Sequence, residues 1–362
     1  MDSPKIEDET AQQQQQQNTK TCSNIEKVSK IPDLVLPRMK KMDADASPLL
    51  GIDEVFKKRW QVQGLIGKGG YGEIYLASDT KRGEEVAIKV EPKIRRGKLA
   101  KRMILEQKAL MKMQGKPHVP RLYASGYTEN LNFIIMQLLS INIGEIRKSS
   151  PCRKLSKSTT GRILHQTIDA LHDMHQFGYI HRDVKPANMC FGIGETNRHT
   201  LILLDFGLIR RYKKENGEFR SLRSKAGFRG THRYVSVRVH SKLEQSSTDD
   251  IISLLYTGYE LMIGELPWKS LERGDEIKKL KQAMQNNEEK VGNNKNYFEN
   301  SQLIGFAKLV FSLDPTIDPP YSKLQDELKI LIGNKKMDDP YDWEDDFKEA
   351  IEENDINDNS SK

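Results

Sequence analysis

Cysteine is scarce in this chain: three in 362 residues, Cys22, Cys152 and Cys190, with no C-x-x-C pair. That scarcity excludes a disulfide framework and a cysteine-based zinc site. Long apolar runs are missing too. Hydrophobic residues make up 36% of the chain, and no stretch approaches the ~20 apolar residues needed to span a bilayer. There is no internal repeat, and the polar, glutamine-rich start lacks the apolar segment of a secretory leader. These absences lead us to expect a soluble monomer of the cytoplasm, with the nucleus as a second compartment.

Charge is plentiful but unevenly spread. The formal net charge is +7, yet the stretch 338–362 holds 11 acids and 2 lysines, leaving +16 on residues 1–337. A basic body with an acidic end suits nucleic acid, an acidic membrane or acidic protein substrates, and charge alone does not choose among them.

The chain divides into three parts by composition. Residues 1–55, with the run Gln12–Gln17, few aromatics and no amphipathic period, are expected to be a disordered tail. A folded body spans 56–333, and 334–362 forms an acidic tail in which Tyr341–Phe347 could dock. Within the body, Trp60–Ile66, Glu73–Ser78, Glu85–Val90 and Asn132–Met136 alternate as strands. Lys98–Gln114, Thr159–Phe177 and Asp249–Ile263 have helical periods, with Gly178 closing the second. Strands first and helices after predict an α+β chain with a small sheet lobe, 56–139, and a larger helical lobe, 140–333.

The glycine pattern Gly67-Lys68-Gly69-Gly70-Tyr71-Gly72 joins two predicted strands. Alone it is a weak signal, since glycine-rich hairpins are common. Such a hairpin can nevertheless lay backbone N–H groups over phosphates, because glycine permits close approach. In Val86-Ala87-Ile88-Lys89-Val90, alternation puts Val86, Ile88 and Val90 on one face and Ala87 with Lys89 on the other. If the valine face is core, Lys89 points beneath the glycine hairpin. In the next helix Leu99, Met103, Glu106, Leu110 and Met113 form one stripe, and Glu106 is the lone acid from Lys98 to Gln114. A carboxylate inside an apolar stripe needs a partner, and Lys89 would supply one.

Tyr179 to Cys190 reads YIHRDVKPANMC: polar groups crowded between apolar anchors. That arrangement suggests a rigidly held loop aimed into a cleft. There Asp183 could accept a hydroxyl proton, Lys185 could neutralise a transferring phosphoryl group, and Asn188 could ligate magnesium. Further on, the apolar run Leu201–Leu204 ends in Asp205-Phe206-Gly207, a second oxygen ligand for a hard cation.

This set of motifs resembles the protein-kinase signature, which general accounts of phosphoryl transfer give as a template. The resemblance covers roughly Trp60 to Gly333. It implies a bilobal fold, ATP and Mg2+ between the lobes, and Met136 to Leu139 as gatekeeper and hinge. It implies nucleotide contacts from Ile66, Gly67, Lys68, Gly69, Gly70, Tyr71, Gly72, Ile74, Ala87, Lys89, Glu106, Met136 and Leu138. Asp250 matches the buried acid that braces the catalytic loop in that family.

The activation segment narrows the match. Most protein kinases carry an Ala-Pro-Glu anchor there. This chain instead has Ala226-Gly-Phe-Arg-Gly-Thr231-His-Arg-Tyr, then Asp249-Asp250 and Gly264-Glu-Leu-Pro-Trp268. That resembles the casein kinase I group, and most of all its tau-tubulin kinase branch. Lys185 implies serine/threonine specificity, and Thr231 matches a threonine that holds Asp183 and Lys185. Ten basic residues lie between Arg210 and Arg238 against two acids. Arg223, with Lys278 and Lys279, would then read acidic or already phosphorylated protein substrates. A pseudokinase would usually have lost Lys89, Asp183 or Asp205, and all three are present. A basic module for nucleic acid or microtubules would leave Asp183 and Glu106 without purpose, so no nucleic-acid partner is expected.

Overall fold

The computed structural model describes residues 36–40, 47–70, 72–95, 97–221, 223–288, 290–291, 294–295 and 302–360. Tyr71, Cys22 and the run Gln12–Gln17 lie outside them.

Alternating β-branched and aromatic residues build the small lobe. Strands β1 (Val55–Phe56), β2 (Trp60–Lys68), β3 (Glu73–Asp79) and β4 (Glu84–Pro92) come first. A ribbon of β5 (Ile94–Arg95) and β6 (Lys98–Leu99) leads into helix α1 (Arg102–Met113). Strands β7 (Leu122–Tyr127) and β8 (Leu131–Gln137) complete an antiparallel sheet of order β1-β2-β3-β4-β8-β7. The period of β4 divides as expected: Val86, Ile88 and Val90 join one buried cluster with Trp60 and Tyr75, and Ala87 joins another with Met136.

Two expectations in this lobe need correcting. The helix predicted from Lys98 begins at Arg102, and Leu99 is exposed in β6, not part of the apolar stripe. Gly97, at φ 72°, turns the ribbon so that Leu99 pairs with Ile94. Strand β7 carried no signal, because almost every residue in it is half-buried and no alternation results.

The larger lobe is mainly helical. It contains α2 (Ile143–Ser149), α3 (Lys157–Gln176) and the short strands β9 (Tyr179–Ile180), β10 (Met189–Phe191), β11 (Leu201–Leu203) and β12 (Arg210–Arg211). Helices α4 (Val237–His240), α5 (Ser247–Ile263), α6 (Gly274–Gln285), α7 (Ile304–Phe311), α8 (Tyr321–Ile332) and α9 (Lys348–Ser360) follow. Ser156 caps α3 by accepting from the Thr159 N–H, and Ser246 with Asp249 forms a capping box on α5. Apolar faces of α3, α5, α7 and α8 share one core. Tyr341, Trp343 and Phe347 enter that core, so the acidic end does dock there. Among the described residues no helix is long and apolar enough to cross a membrane.

The strand pairs β9–β12 and β10–β11 clamp the two ends of the loop 181–188. The apolar anchors of YIHRDVKPANMC are these strands, and the polar residues between them are free to face a cleft.

Candidate active site

A cleft of about 1040 Å³ runs between the lobes. Its lining includes Ile66, Gly67, Lys68, Gly69, Gly70, Gly72, Ile74, Ala87, Lys89, Glu106, Met136 and Leu138 from the nucleotide side. Asp183, Lys185, Asn188, Asp205 and Thr231 line it as well. Arg223, Lys278 and Lys279 do not.

The glycines divide into two roles. A side chain at Gly72 would overlap the Val90 carbonyl, whereas Gly69 and Gly70 meet nothing within 4 Å. The first lets β3 pass close to β4, and the other two leave backbone open toward the cleft. The Gly69 N–H bonds back to the Gly72 carbonyl at 3.0 Å.

Lys89 Nζ donates to Glu106 Oε1 at 2.7 Å and Oε2 at 2.8 Å. Both misplaced charges thus find each other, as the strand alternation and the helical stripe required. Asp205 stands 3.4 Å from the same ammonium. Burial disfavours the Lys89 charge, but Glu106 and Asp205 outweigh it and raise its pKa.

Sequence reasoning missed Arg102. Its Nη2 donates to both Asp205 oxygens, at 3.1 and 2.9 Å, and its side chain lies where Gly207 would otherwise carry a Cβ. Arg102 sits four residues before Glu106, on the same face of α1, so helical spacing was the available signal. Burial alone would raise the Asp205 carboxyl, yet Lys89 and Arg102 hold it well below the usual carboxylate range. Residues 37–40 also line the cleft, with the Lys40 N–H on the Leu65 carbonyl at 2.7 Å. Nothing in their composition announced this.

The loop after β9 is braced from below. Asp250 accepts from the His181 N–H at 2.7 Å, the Arg182 N–H at 2.8 Å and His175 Nε2 at 3.0 Å. Arg182 is held at φ 71° and Asp205 at φ 63°, both in the left-handed region that side chains normally avoid. Strain of this kind persists only where surrounding bonds impose it, and Asp250 supplies two of them. Above this loop, Asp183 Oδ2 accepts from Lys185 Nζ at 2.7 Å, and Oδ1 accepts from the Thr231 hydroxyl at 2.7 Å. Lys185 also donates to the Thr231 oxygen at 3.0 Å, which closes a triangle. Gly230, at φ 107°, lets this contact form, because a Cβ there would collide with the Arg182 carbonyl.

The donor set fits a hard cation. Asn188 spends its Nδ2 on the Asp183 carbonyl at 2.8 Å, leaving its Oδ1 as an oxygen donor. Asp205 adds an ionised carboxylate on the same cleft wall.

The acceptor side differs from expectation. Arg223 donates Nε to Glu244, and Arg210 forms an ion pair with the same carboxylate at 3.0 Å. Lys278 is half-buried and Lys279 exposed on α6, outside the cleft. The basic run is thus largely matched by acids. Arg233 lies 3.4 Å from Glu260, Arg211 is 3.0 Å from Glu215, and Lys213 is 2.5 Å from Asp318.

Comparison with known proteins agrees with this geometry. The protein kinase domain family matches residues 60–333. A Caenorhabditis elegans protein whose provisional name reads casein kinase I is 52% identical, over 82% of this chain and 86% of its own. A Dictyostelium discoideum protein named as a probable serine/threonine-protein kinase is 35% identical over 80% of this chain and 57% of its own. The C. elegans serine/threonine-protein kinase spe-6 is 32% identical over 79% and 76%. The chain is a protein kinase of the casein kinase I group, an ATP-dependent enzyme acting on serine and threonine.

Proposed function

We propose that this kinase phosphorylates Ser or Thr hydroxyls beside acidic or already phosphorylated residues, with Asp183 as the base. The observation that carries the catalytic half is the triangle of Asp183, Lys185 and Thr231. It orients a buried carboxylate toward the place where an acceptor hydroxyl would enter, with a lysine beside it. Asp183 takes the hydroxyl proton as the oxygen attacks the γ-phosphorus and the bond to the β-phosphate oxygen breaks. Lys185 offsets the charge on the transferring oxygens. Lys89, fixed by Glu106, orients the remaining phosphates under the Gly69–Gly70 backbone. Asn188 and Asp205 would hold Mg2+, which when bound supplies further charge neutralisation on the phosphates.

Support for the acidic preference is the ratio at Glu244. Two guanidiniums meet one carboxylate, so the group stays net positive. Arg223 is about half exposed in this arrangement, at 52% for its side chain. Charge-assisted contacts to a phosphate are worth roughly 1.5–3 kcal/mol when sheltered and less when exposed.

The test compares one acceptor peptide with and without a phosphoserine upstream of the acceptor. Arg223→Glu should raise the Michaelis constant for the primed peptide about tenfold, equal to ~1.4 kcal/mol, and barely change the unprimed one. The wild-type preference should also weaken with added salt. Equal loss on both peptides, or a preference for basic peptides, would contradict the acidic reading and leave the kinase reading standing.

A further inference from the structure

Without an Ala-Pro-Glu sequence, something else must hold the turn that carries Thr231. The turn itself is compact: the Tyr234 and Val235 N–H groups both bond to the Thr231 carbonyl, at 2.9 and 3.1 Å. Its outward carbonyls are met from the large lobe. Trp268 Nε1 donates to the Arg233 carbonyl at 2.8 Å. Lys281, on α6, donates to the His232 carbonyl at 2.8 Å and the Val235 carbonyl at 2.6 Å.

Lys281 is an unusual choice for such a place. It is fully buried, and no carboxylate among the described residues pairs with it. Its ammonium lies 4.9 Å from the Tyr256 ring centroid and 5.2 Å from that of Trp268, with His240 Nε2 at 3.3 Å. Burial without a counter-ion is costly for lysine, and here it pushes the amine pKa far below its ordinary value. A leucine or methionine would fill the same space without that penalty. Only a tip with at least two donors can satisfy two carbonyls of one turn at once, and a lysine tip offers that many whether or not it is protonated.

We infer that Lys281 is a positioning residue for the acceptor site: it fixes the turn from Thr231 to Val235, and through it the contact of Thr231 with Asp183, in the role that Ala-Pro-Glu fills in most kinases. Thr231 can hold Asp183 and Lys185 only if its own backbone is fixed. Lys281 reaches that backbone one residue after Thr231 and again at the end of the turn. Lys278 and Lys279, expected to contact substrate, occupy the outer side of the same helix, and the side chain that turns inward is Lys281.

The inference rests on the acceptor-site reading, so its test includes a measurement that needs no turnover. In full-length Lys281→Met, amide exchange at Tyr234 and Val235 should quicken while exchange in α1 and β4 stays as in the wild type. The Michaelis constant for the acceptor peptide should rise at least about tenfold, in the range that positional errors of ~1 Å produce, with that for ATP within about twofold. Lys281→Gln, which retains a donor, should recover part of the loss. Unchanged exchange at the turn, or equal rises in both Michaelis constants with exchange quickened throughout, would overturn the role. Failure of both variants to fold would do the same, by making the lysine a support for the whole lobe. A wild type that transfers no phosphate would end the acceptor-site reading alone, because the exchange result stands without it.

Discussion

Two regions of this molecule bury acids, and they treat them in opposite ways. In the cleft three carboxylates face cations: Glu106 faces Lys89, Asp205 faces Lys89 and Arg102, and Asp183 faces Lys185. At the acidic end the partners are hydroxyls and backbone. Asp342 accepts from the Ser156 N–H at 2.7 Å, the Ser156 hydroxyl at 2.6 Å and the Thr159 hydroxyl at 2.7 Å. Glu353 accepts from the Lys157 N–H at 3.1 Å. Burial therefore raises the Asp342 carboxyl and pushes the Glu353 carboxyl up to about 7, while Asp205 is held low. A carboxylate that meets two cations, as Asp205 does, is held in its ionised form. Carboxylates matched by dipoles serve to dock a segment and favour the proton.

The largest effect should come from removing a cation in the cleft. Lys89→Met should abolish measurable phosphotransfer and also lower the thermal transition, since it leaves the buried Glu106 carboxylate without its cation. The companion change, Glu106→Leu, leaves the ammonium with Asp205 alone. Breaking a buried pair costs about 3–5 kcal/mol, and the remaining carboxylate at 3.4 Å puts this case near the lower figure. Glu106→Gln, which keeps a hydrogen-bond acceptor, should cost less in both stability and rate. Unchanged kinetics in Glu106→Leu would mean that the pair does not serve the reaction, and the contrast between the two regions would fail.

A smaller effect is expected at the acidic end, and it depends on pH. The folded Glu353 carboxyl titrates near 7, above the unfolded value of about 4.3. The folded state therefore holds the proton more tightly between those values. Its contribution is fully present below about pH 4 and is lost as pH rises through 7. Glu353→Gln should thus raise the melting temperature by roughly 2 °C at pH 8 and leave it unchanged near pH 4. A gain that is equal at both pH values would remove the titration from the explanation.

The nucleotide side of the cleft was legible because its logic is local. Lys89 and Glu106 lie 17 residues apart, and each was conspicuous inside its own periodic element. The glycines, Asp183, Asn188 and Asp205 sit in short motifs whose spacing fixes their geometry. Contacts made across the fold left no such trace. Glu244 pairs with both Arg210 and Arg223 from a distant point in the chain, and Ser156 finds Asp342 across 186 residues. Lys281 carried no signal in the sequence, since a single inward side chain leaves no mark on a charged helix. Leu99 fitted the helical stripe, but Gly97 had already turned the chain into a ribbon. The aromatics Tyr341, Trp343 and Phe347 did signal docking, though not the buried acid beside them.

The central claim is that the carboxylate of Asp183 takes the proton from the attacking hydroxyl. The most direct measurement is phosphate incorporation into an acidic acceptor protein by wild type and Asp183→Asn, prepared side by side and shown to bind nucleotide equally. An asparagine can still accept from Lys185 through its oxygen and donate its amide N–H to the Thr231 oxygen, but it lacks the basicity. The account predicts a loss of at least about a thousandfold in turnover with little change in nucleotide affinity, within the range removal of a general base produces. Equal incorporation by both proteins would contradict it.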